Sequence, residues 1–352
     1  FLEATGSAPF SASAAAVANP SASNLPPFQS VLNFNEARTV SRQDLAAYGQ
    51  ATYRVSEKLA LTAGIRWQDE KQKDFGEQFF GLFGPFARET NDSAVTWKIG
   101  ADLNLTADNM VYGLISTGWK NGGTNPGAIT GGAILLPVAF EPEELTAFEI
   151  GSRNTFLDGR VRFNVTAFYY DHENLQYIFE DPVPHGGGTN TIPNLEEKGI
   201  ETEFSAQLSE SWRLDGMLSW QDGELKDDIF AMDVVDFREA LSPGVGYYTD
   251  GGFGAKMGLA YGTNLRGNEP PKMPDVMARI GLTNTHTFEN GAEFTSRVEY
   301  VHRGEMQARV FNNPLYDKVP SYDIVNLSFS YENASSPLSF GLVISNAGDE
   351  DG

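Results

Sequence analysis

A strict two-residue alternation, carried by strands too long for an ordinary globular sheet, constrains this chain more than any other feature. It is clearest from Glu144 to Asp171, ELTAFEIGSRNTFLDGRVRFNVTAFYYD. Phe148 and Ile150 point one way and Glu149 and Arg153 the other. After the turn Leu157-Asp158-Gly159-Arg160, Val161, Phe163, Val165, Ala167 and Tyr169 oppose Arg162, Asn164 and Thr166. Successive side chains leave a pleated strand on opposite sides, so period two means strand. Each arm runs about a dozen residues, against roughly five or six for an average globular strand. A strand tilted across a bilayer needs roughly nine to eleven. The hairpin therefore reads as part of an all-β, antiparallel transmembrane β-barrel.

The same pattern recurs along the chain. From Gln43, Leu45, Ala47, Gly49, Ala51, Tyr53 and Val55 share a face, and a turn at Ser56-Glu57-Lys58 leads to Leu59, Leu61, Ala63, Ile65 and Trp67. Val95 to Leu105 alternates, turns at Ala107-Asp108-Asn109 and continues to Trp119, where both parities carry apolar residues. Further strands are expected over Ile200–Leu208, Trp212–Gln221, Asp275–Thr285, Ala292–His302, Tyr322–Tyr331 and Leu338–Ser345. This makes about 12 strands joined alternately by short turns and long loops, the loops expected at 71–92, 120–143, 173–195, 223–273 and 304–320. Outer-membrane barrels have short periplasmic turns and longer extracellular loops. Residues 1–42, rich in Ala, Ser, Pro and Asn, read as an extracellular loop, and 43–352 as the barrel portion. Both ends of the sequence fall on the long-loop side. A complete barrel begins and ends in the periplasm, so further strands are expected before Phe1 and after Gly352. Trp67, Trp119, Trp220, Tyr112, Tyr169, Tyr170, Tyr300 and Tyr331 lie toward strand ends, where aromatic girdles belong.

Composition narrows the function. The net charge of −22 argues against a nucleic-acid partner, which selects basic surfaces. The chain has no cysteine, so neither a disulfide nor a thiolate metal site exists within it. His172, His185, His286 and His302 have no partner at metal-ligand spacing, and no nucleophile elbow or phosphate loop occurs. No resident metal and no catalytic residue is expected. The acidic run Asp222–Asp228 with Asp233 and Asp236 offers oxygen ligands for a loop-bound Ca²⁺ but lacks the EF-hand spacing.

Five stretches, in order, resemble the C-terminal barrel portion of TonB-dependent outer-membrane receptors: AYGQATYRVSEKLALTAGIRWQDEKQ (47–72), VYGLISTGWKNGGTNPGA (111–128), FEPEELTAFEIGSRNTFLDGRVRFNVTAFYYDHENLQ (140–176), NLEEKGIETEFSAQLSESWRLDGMLSWQDGEL (194–225) and VPSYDIVNLSFSYEN (319–333). The resemblance implies a barrel of about 22 strands filled by a plug domain. It also implies partners: outer-membrane lipid, the TonB complex acting through the plug, and a small-molecule ligand such as an iron complex, with ferric siderophore the default. Neither a plug nor a TonB-contacting segment is present in these residues. A passive porin and a soluble β-rich binding protein are the alternatives, since both would use alternating strands.

Ligand capture is expected at the extracellular side. The aromatic stretch 75–86 supplies Phe79, Phe80, Phe83 and Phe86. Trp119, Asn121, Tyr177, Tyr247, Tyr248, Arg309 and Phe311 lie in loops or at loop bases on the same side. Stacking on such residues suits a planar or apolar ligand. The inward charges Arg66, Lys98, Glu149, Arg153, Arg162, Glu201, Glu203 and Arg213 are expected to face the plug.

Overall fold

A computed structural model describes residues 36–78, 85–125, 137–181, 186–233, 262–333 and 336–350. In chain order the strands are β1 (Glu36–Arg54), β2 (Leu59–Gln78), β3 (Pro85–Asn104), β4 (Asn109–Lys120), β5 (Gly123–Thr124), β6 (Ala139–Phe140), β7 (Glu143–Phe156), β8 (Val161–Asp181) and β9 (Gly186–Gln207). They continue as β10 (Trp212–Leu225), β11 (Phe230–Met232), β12 (Gly262–Asn264), β13 (Val276–Thr287), β14 (Glu293–Arg303), β15 (Met306–Gln307), β16 (Lys318–Val319), β17 (Tyr322–Glu332) and β18 (Ser339–Ile344). Twelve of them form one sheet in the order β1-β2-β3-β4-β7-β8-β9-β10-β13-β14-β17-β18. Every neighbouring pair is antiparallel and joined to its successor in sequence. The remaining strands form three small hairpins, β5–β6, β11–β12 and β15–β16, each built into a connection at the same end of the sheet.

At the opposite end the connections are tight. Val55, Leu105, Leu208 and Phe288 each donate their N–H to the carbonyl four residues on, closing compact turns. Ser56 Oγ accepts from the N–H groups of Lys58 and Leu59, and Ser209 Oγ from Trp212. Small hydroxyls at turns bond the local backbone, which is why they recur there. At 157–160 the backbone is left-handed at Asp158 (φ 54°) and Gly159 (φ 88°). Leu157 (φ 53°) is left-handed too, so the connection between the paired residues Phe156 and Val161 is a four-residue turn, in which glycine adopts such angles without a Cβ clash and aspartate tolerates them.

One face of the sheet is apolar and has no protein against it. Ile65, Ile99 and Ile150 are 60%, 60% and 67% exposed, and Trp67, Trp97, Phe148, Trp220 and Phe340 are exposed beside them. The other face carries Arg66, Lys98, Glu149, Arg162, Glu201, Glu203 and Arg213, each at inward parity. β4, ambiguous in sequence, is fixed by its register: Ser116 pairs with Lys98 and Leu114 with Glu149, so the even positions point inward.

Three expected boundaries differ. β1 begins at Glu36, before the alternation that starts at Gln43. The loop expected at 71–92 is mostly strand, since β2 runs to Gln78 and β3 starts at Pro85. The loop expected at 173–195 is likewise strand to Asp181 and again from Gly186. The reason is common to all three. Beyond the membrane both faces meet water, so side chains stop alternating while the backbone ladder continues. β2, β3, β8 and β9 thus reach 20 to 22 residues, against 11 or 12 for β13, β14 and β17.

Candidate functional site: the walled mouth and the inner face

The overlong strands carry a polar rim above the apolar belt. Its centre is Asp74 on β2, whose side chain is fully buried. Arg38 Nε on β1 donates to Asp74 Oδ1 at 2.8 Å, and Arg38 Nη2 reaches both the other carboxylate oxygen and the Thr124 carbonyl. Thr124 Oγ1 donates to Asp74 Oδ2 at 2.6 Å. Burial alone would raise the Asp74 carboxyl. The hydrogen bonds from Arg38 and Thr124 and the guanidinium charges of Arg38 and Arg88 outweigh it and hold the group below its ordinary range.

Thr124 lies in the β4–β7 connection, which this clamp draws across the inner face. Asn121 Nδ2 bonds Glu70 on β2, and its carbonyl accepts from Gln176 Nε2 on β8 at 2.7 Å. Arg88 on β3 donates to the carbonyls of Asn125 and Val138. The Asn125 amide acts like a short piece of backbone: Nδ2 donates to the Thr189 carbonyl (2.6 Å) and Oδ1 accepts from the Thr189 N–H (2.7 Å). The connection therefore straps β2 and β3 to β8 and β9. Gly123 permits this, because a Cβ there would lie 2.5 Å from the Phe140 ring.

The other side of the mouth is a cap with a core of its own. Phe179, Ile192, Leu195, Leu225, Leu265 and Val310 are buried together, with Tyr177 and Phe311 packed at their edge. Arg309 pins the cap. Its Nε donates to Asp317 Oδ1 at 2.5 Å and its Nη1 to Asp233 Oδ1 at 2.7 Å, with both carboxylates almost wholly buried. Burial opposes the guanidinium charge, but the two carboxylates hold Arg309 above its ordinary value. Asn268 Nδ2 ties the β12–β13 segment to the carbonyls of Val310 and Phe311.

Lower on the inner face, Arg297 forks onto Asp215 at 2.7 and 2.8 Å and also bonds Glu299, which Arg279 contacts from β13. Gly281 leaves the space that the Arg297 guanidinium occupies. Beside this network a cavity of about 350 Å³ is lined by Arg162, Asn164, Glu203, Arg213, Asp215 and Arg279.

A twelve-stranded meander with a bare apolar face, a charged inner face and a built-up rim at one end limits the comparisons that fit. A family model for the TonB-dependent receptor-like β-barrel matches residues 6–347. The chain belongs to that family of β-barrels. TonB-dependent receptors are outer-membrane proteins of Gram-negative bacteria, and the exposed belt is the lipid-facing wall. Over 176 residues the chain is 28% identical to the metal-pseudopaline receptor CntO of Pseudomonas aeruginosa, covering 49% of this chain and 23% of that protein. It is 22% identical to the probable TonB-dependent siderophore receptor PiuA of Acinetobacter baumannii, over 49% of this chain and 22% of PiuA. The ferric yersiniabactin uptake receptor FyuA of Yersinia pestis superposes with a TM-score of 0.67 at 17% identity, covering 90% of this chain and 42% of FyuA. The chain thus spans less than half the length of the receptors it matches.

Within the receptor barrel the expected ligand residues fall into three groups. Phe79, Phe80, Phe83, Tyr247 and Tyr248 lie outside the described residues, as does Asp236. Phe86 lies under the Arg88 guanidinium at 5.5 Å, whereas Trp119, expected to meet the ligand, sits at an odd position of β4 opposite Glu144 and so falls on the outward face, away from the mouth. Asn121, Tyr177, Arg309 and Phe311 are built into the strap and cap described above. Of the acidic run, Asp222 pairs with Lys198, Asp228 with Arg266 and Asp233 with Arg309. Arg38, Asp74, Thr124, Asn125, Asp215, Arg297 and Glu299 were not singled out by sequence. Inward parity points to Asp215, Arg297 and Glu299, whereas nothing local marks Asp74 or Asn125.

Proposed function

We propose that this barrel is the outer-membrane portion of an importer that captures a metal–siderophore complex at its extracellular mouth. Import to the periplasm is then driven through TonB. The observation that carries this is the mouth itself. Strands extended past the lipid belt, a strap bonded to both sides and a cap with a dry core build a walled vestibule above a charged inner face. A pore for passive diffusion needs the lipid-facing strands but has no use for such a vestibule. Relatives named for metal-pseudopaline, and a structural neighbour that takes up ferric yersiniabactin, support a chelated metal as cargo. Phe86, at inward parity on β3, is the described aromatic residue we assign to ligand contact. Arg309 and Phe311 act by holding the wall.

The test is uptake in cells. A strain lacking the gene and starved of iron is supplied with ⁵⁵Fe bound to a panel of siderophores, with and without the gene restored. Restored accumulation that a protonophore abolishes is the expected result. Accumulation that survives the protonophore would establish passive diffusion and sink the proposal.

A further inference from the structure

We propose that Tyr300, His302 and Asp323, on the outer wall of the barrel, form a docking site for the uncharged sugar headgroup of an outer-leaflet glycolipid. The proposal concerns the lipid side of the wall and does not depend on what the receptor imports.

Parity places the three residues. β14 and β17 are antiparallel, with Tyr300 opposite Val325 and His302 opposite Asp323. Tyr300 also faces Ile280 on β13, and Ile280, Val298 and Tyr300 are all exposed. The even positions of β14 and the odd positions of β17 therefore look outward, and Arg297, Glu299 and Arg303 look inward. β14 rises from the tight turn after Phe288 and ends at Arg303, so His302 is its last outward position. The trio stands where the apolar belt meets the headgroups of the outer leaflet. Both strands have their neighbours within the chain. β13 flanks β14, and β17 is flanked by β18 and the residues after it, Ala347 donating to the Val325 carbonyl.

The trio is bonded internally and leaves two atoms over. The Tyr300 hydroxyl donates to Asp323 Oδ1 at 2.6 Å, and His302 Nδ1 lies 2.7 Å from the same oxygen. An ionised carboxylate only accepts, so both neighbours are donors and the His302 proton is assigned to Nδ1. Asp323 Oδ2 and His302 Nε2 have no hydrogen-bond partner among the described residues, and the two side chains are 56% and 29% exposed. A carboxylate oxygen, a ring nitrogen and the face of a tyrosine make a set that suits a sugar. Its hydroxyls bond to Asp323 and His302, and its C–H face lies on the Tyr300 ring.

Charge selects against a phosphate headgroup. Among the described residues no Lys or Arg holds an outward position on β13, β14, β17 or β18. Lys318, in the connection before β17, is taken by Glu305 at 2.8 Å. A phosphate brought to the trio would meet the Asp323 carboxylate with no cation on this wall to offset it. Nearer the tight turns, Val298, Leu327 and Ile344 stand side by side on three strands and give the acyl chains an apolar bed.

The test uses the complete receptor in uncharged detergent and two lipids with the same dioleoyl chains. Monogalactosyl diacylglycerol carries a neutral sugar, and phosphatidylglycerol a phosphate. Native mass spectrometry across a lipid titration counts the molecules retained. Saturable retention of one galactolipid is expected, at a lower lipid concentration than phosphatidylglycerol requires. Asp323→Ala and His302→Ala should each raise that concentration at least fivefold, and Tyr300→Phe should raise it less, since the ring remains. Lys73→Ala, on the outward face of β2, should leave it unchanged. Heat-modifiable gel mobility reports folding, and His302→Ala alone carries the test if Asp323→Ala does not fold. Retention of phosphatidylglycerol as tight as the galactolipid, no saturable galactolipid retention, or equal weakening by Lys73→Ala overturns the proposal.

Discussion

The membrane belt and the extracellular cap are built on opposite plans from one sheet. In the belt the large apolar side chains face outward, and Ile65 and Ile150 have no protein neighbour covering them. In the cap Leu225, Leu265 and Val310 are wholly removed from solvent and Arg309 bridges two buried carboxylates. The belt is held by its backbone ladder and by lipid, since every backbone group in a bilayer must find a partner inside the protein. The cap is held as a soluble domain is, by excluding water from apolar surface and satisfying the charges it buries. Damage to one region should therefore leave the other standing.

Replacing Arg309 with alanine is the harshest challenge to that separation. It strands Asp233 and Asp317 without their cation, and breaking such a buried pair costs about 3–5 kcal/mol. Hydrogen exchange is expected to rise across β11, β12 and β15, while heat-modifiable mobility of the barrel is kept. Collapse of the barrel together with the cap would show that the two regions fold as one. The converse substitution is Ile150→Arg, which puts a charge against lipid. It should cost about 2–4 kcal/mol of barrel stability, read by folding into lipid vesicles. The same change at the inward neighbour Glu149 should cost far less, and equal costs would mean that the faces are misassigned.

Acid sharpens the comparison at the rim. The fold holds the Asp74 carboxyl below its ordinary value of 3.8, so the clamp binds the charged form. Its stabilisation is complete above about pH 4 and is lost as pH falls through the lowered value. Proteolysis of the strap near Asn125 should therefore accelerate only in strong acid, and the Asp74→Asn variant should be cut readily at neutral pH. Acceleration already at pH 6 would assign the effect to another group. The smallest effect belongs to Lys73 and Glu89, an exposed pair at 3.7 Å above the belt. Lys73→Ala should change stability by less than about 1 kcal/mol, because solvent screens such pairs.

The sequence by itself determined the number of strands in the main sheet, the direction of every face except that of β4, and the side on which the tight turns lie. Each of these is written locally. Alternation at Val161, Phe163 and Val165 assigns a face with no knowledge of any neighbour, and Asp158-Gly159 names its own turn. Tertiary structure decided the mouth. Arg38 meets Asp74 across 36 residues, Asn125 meets Thr189 across 64, and Arg309 meets Asp233 across 76. No period links such positions, because a polar residue above the lipid reads the same whether it faces water or clamps a strap. The extended ends of β2, β3, β8 and β9 escaped notice for a related reason. Once both faces are wet, the backbone ladder carries the strand and the side chains no longer record it.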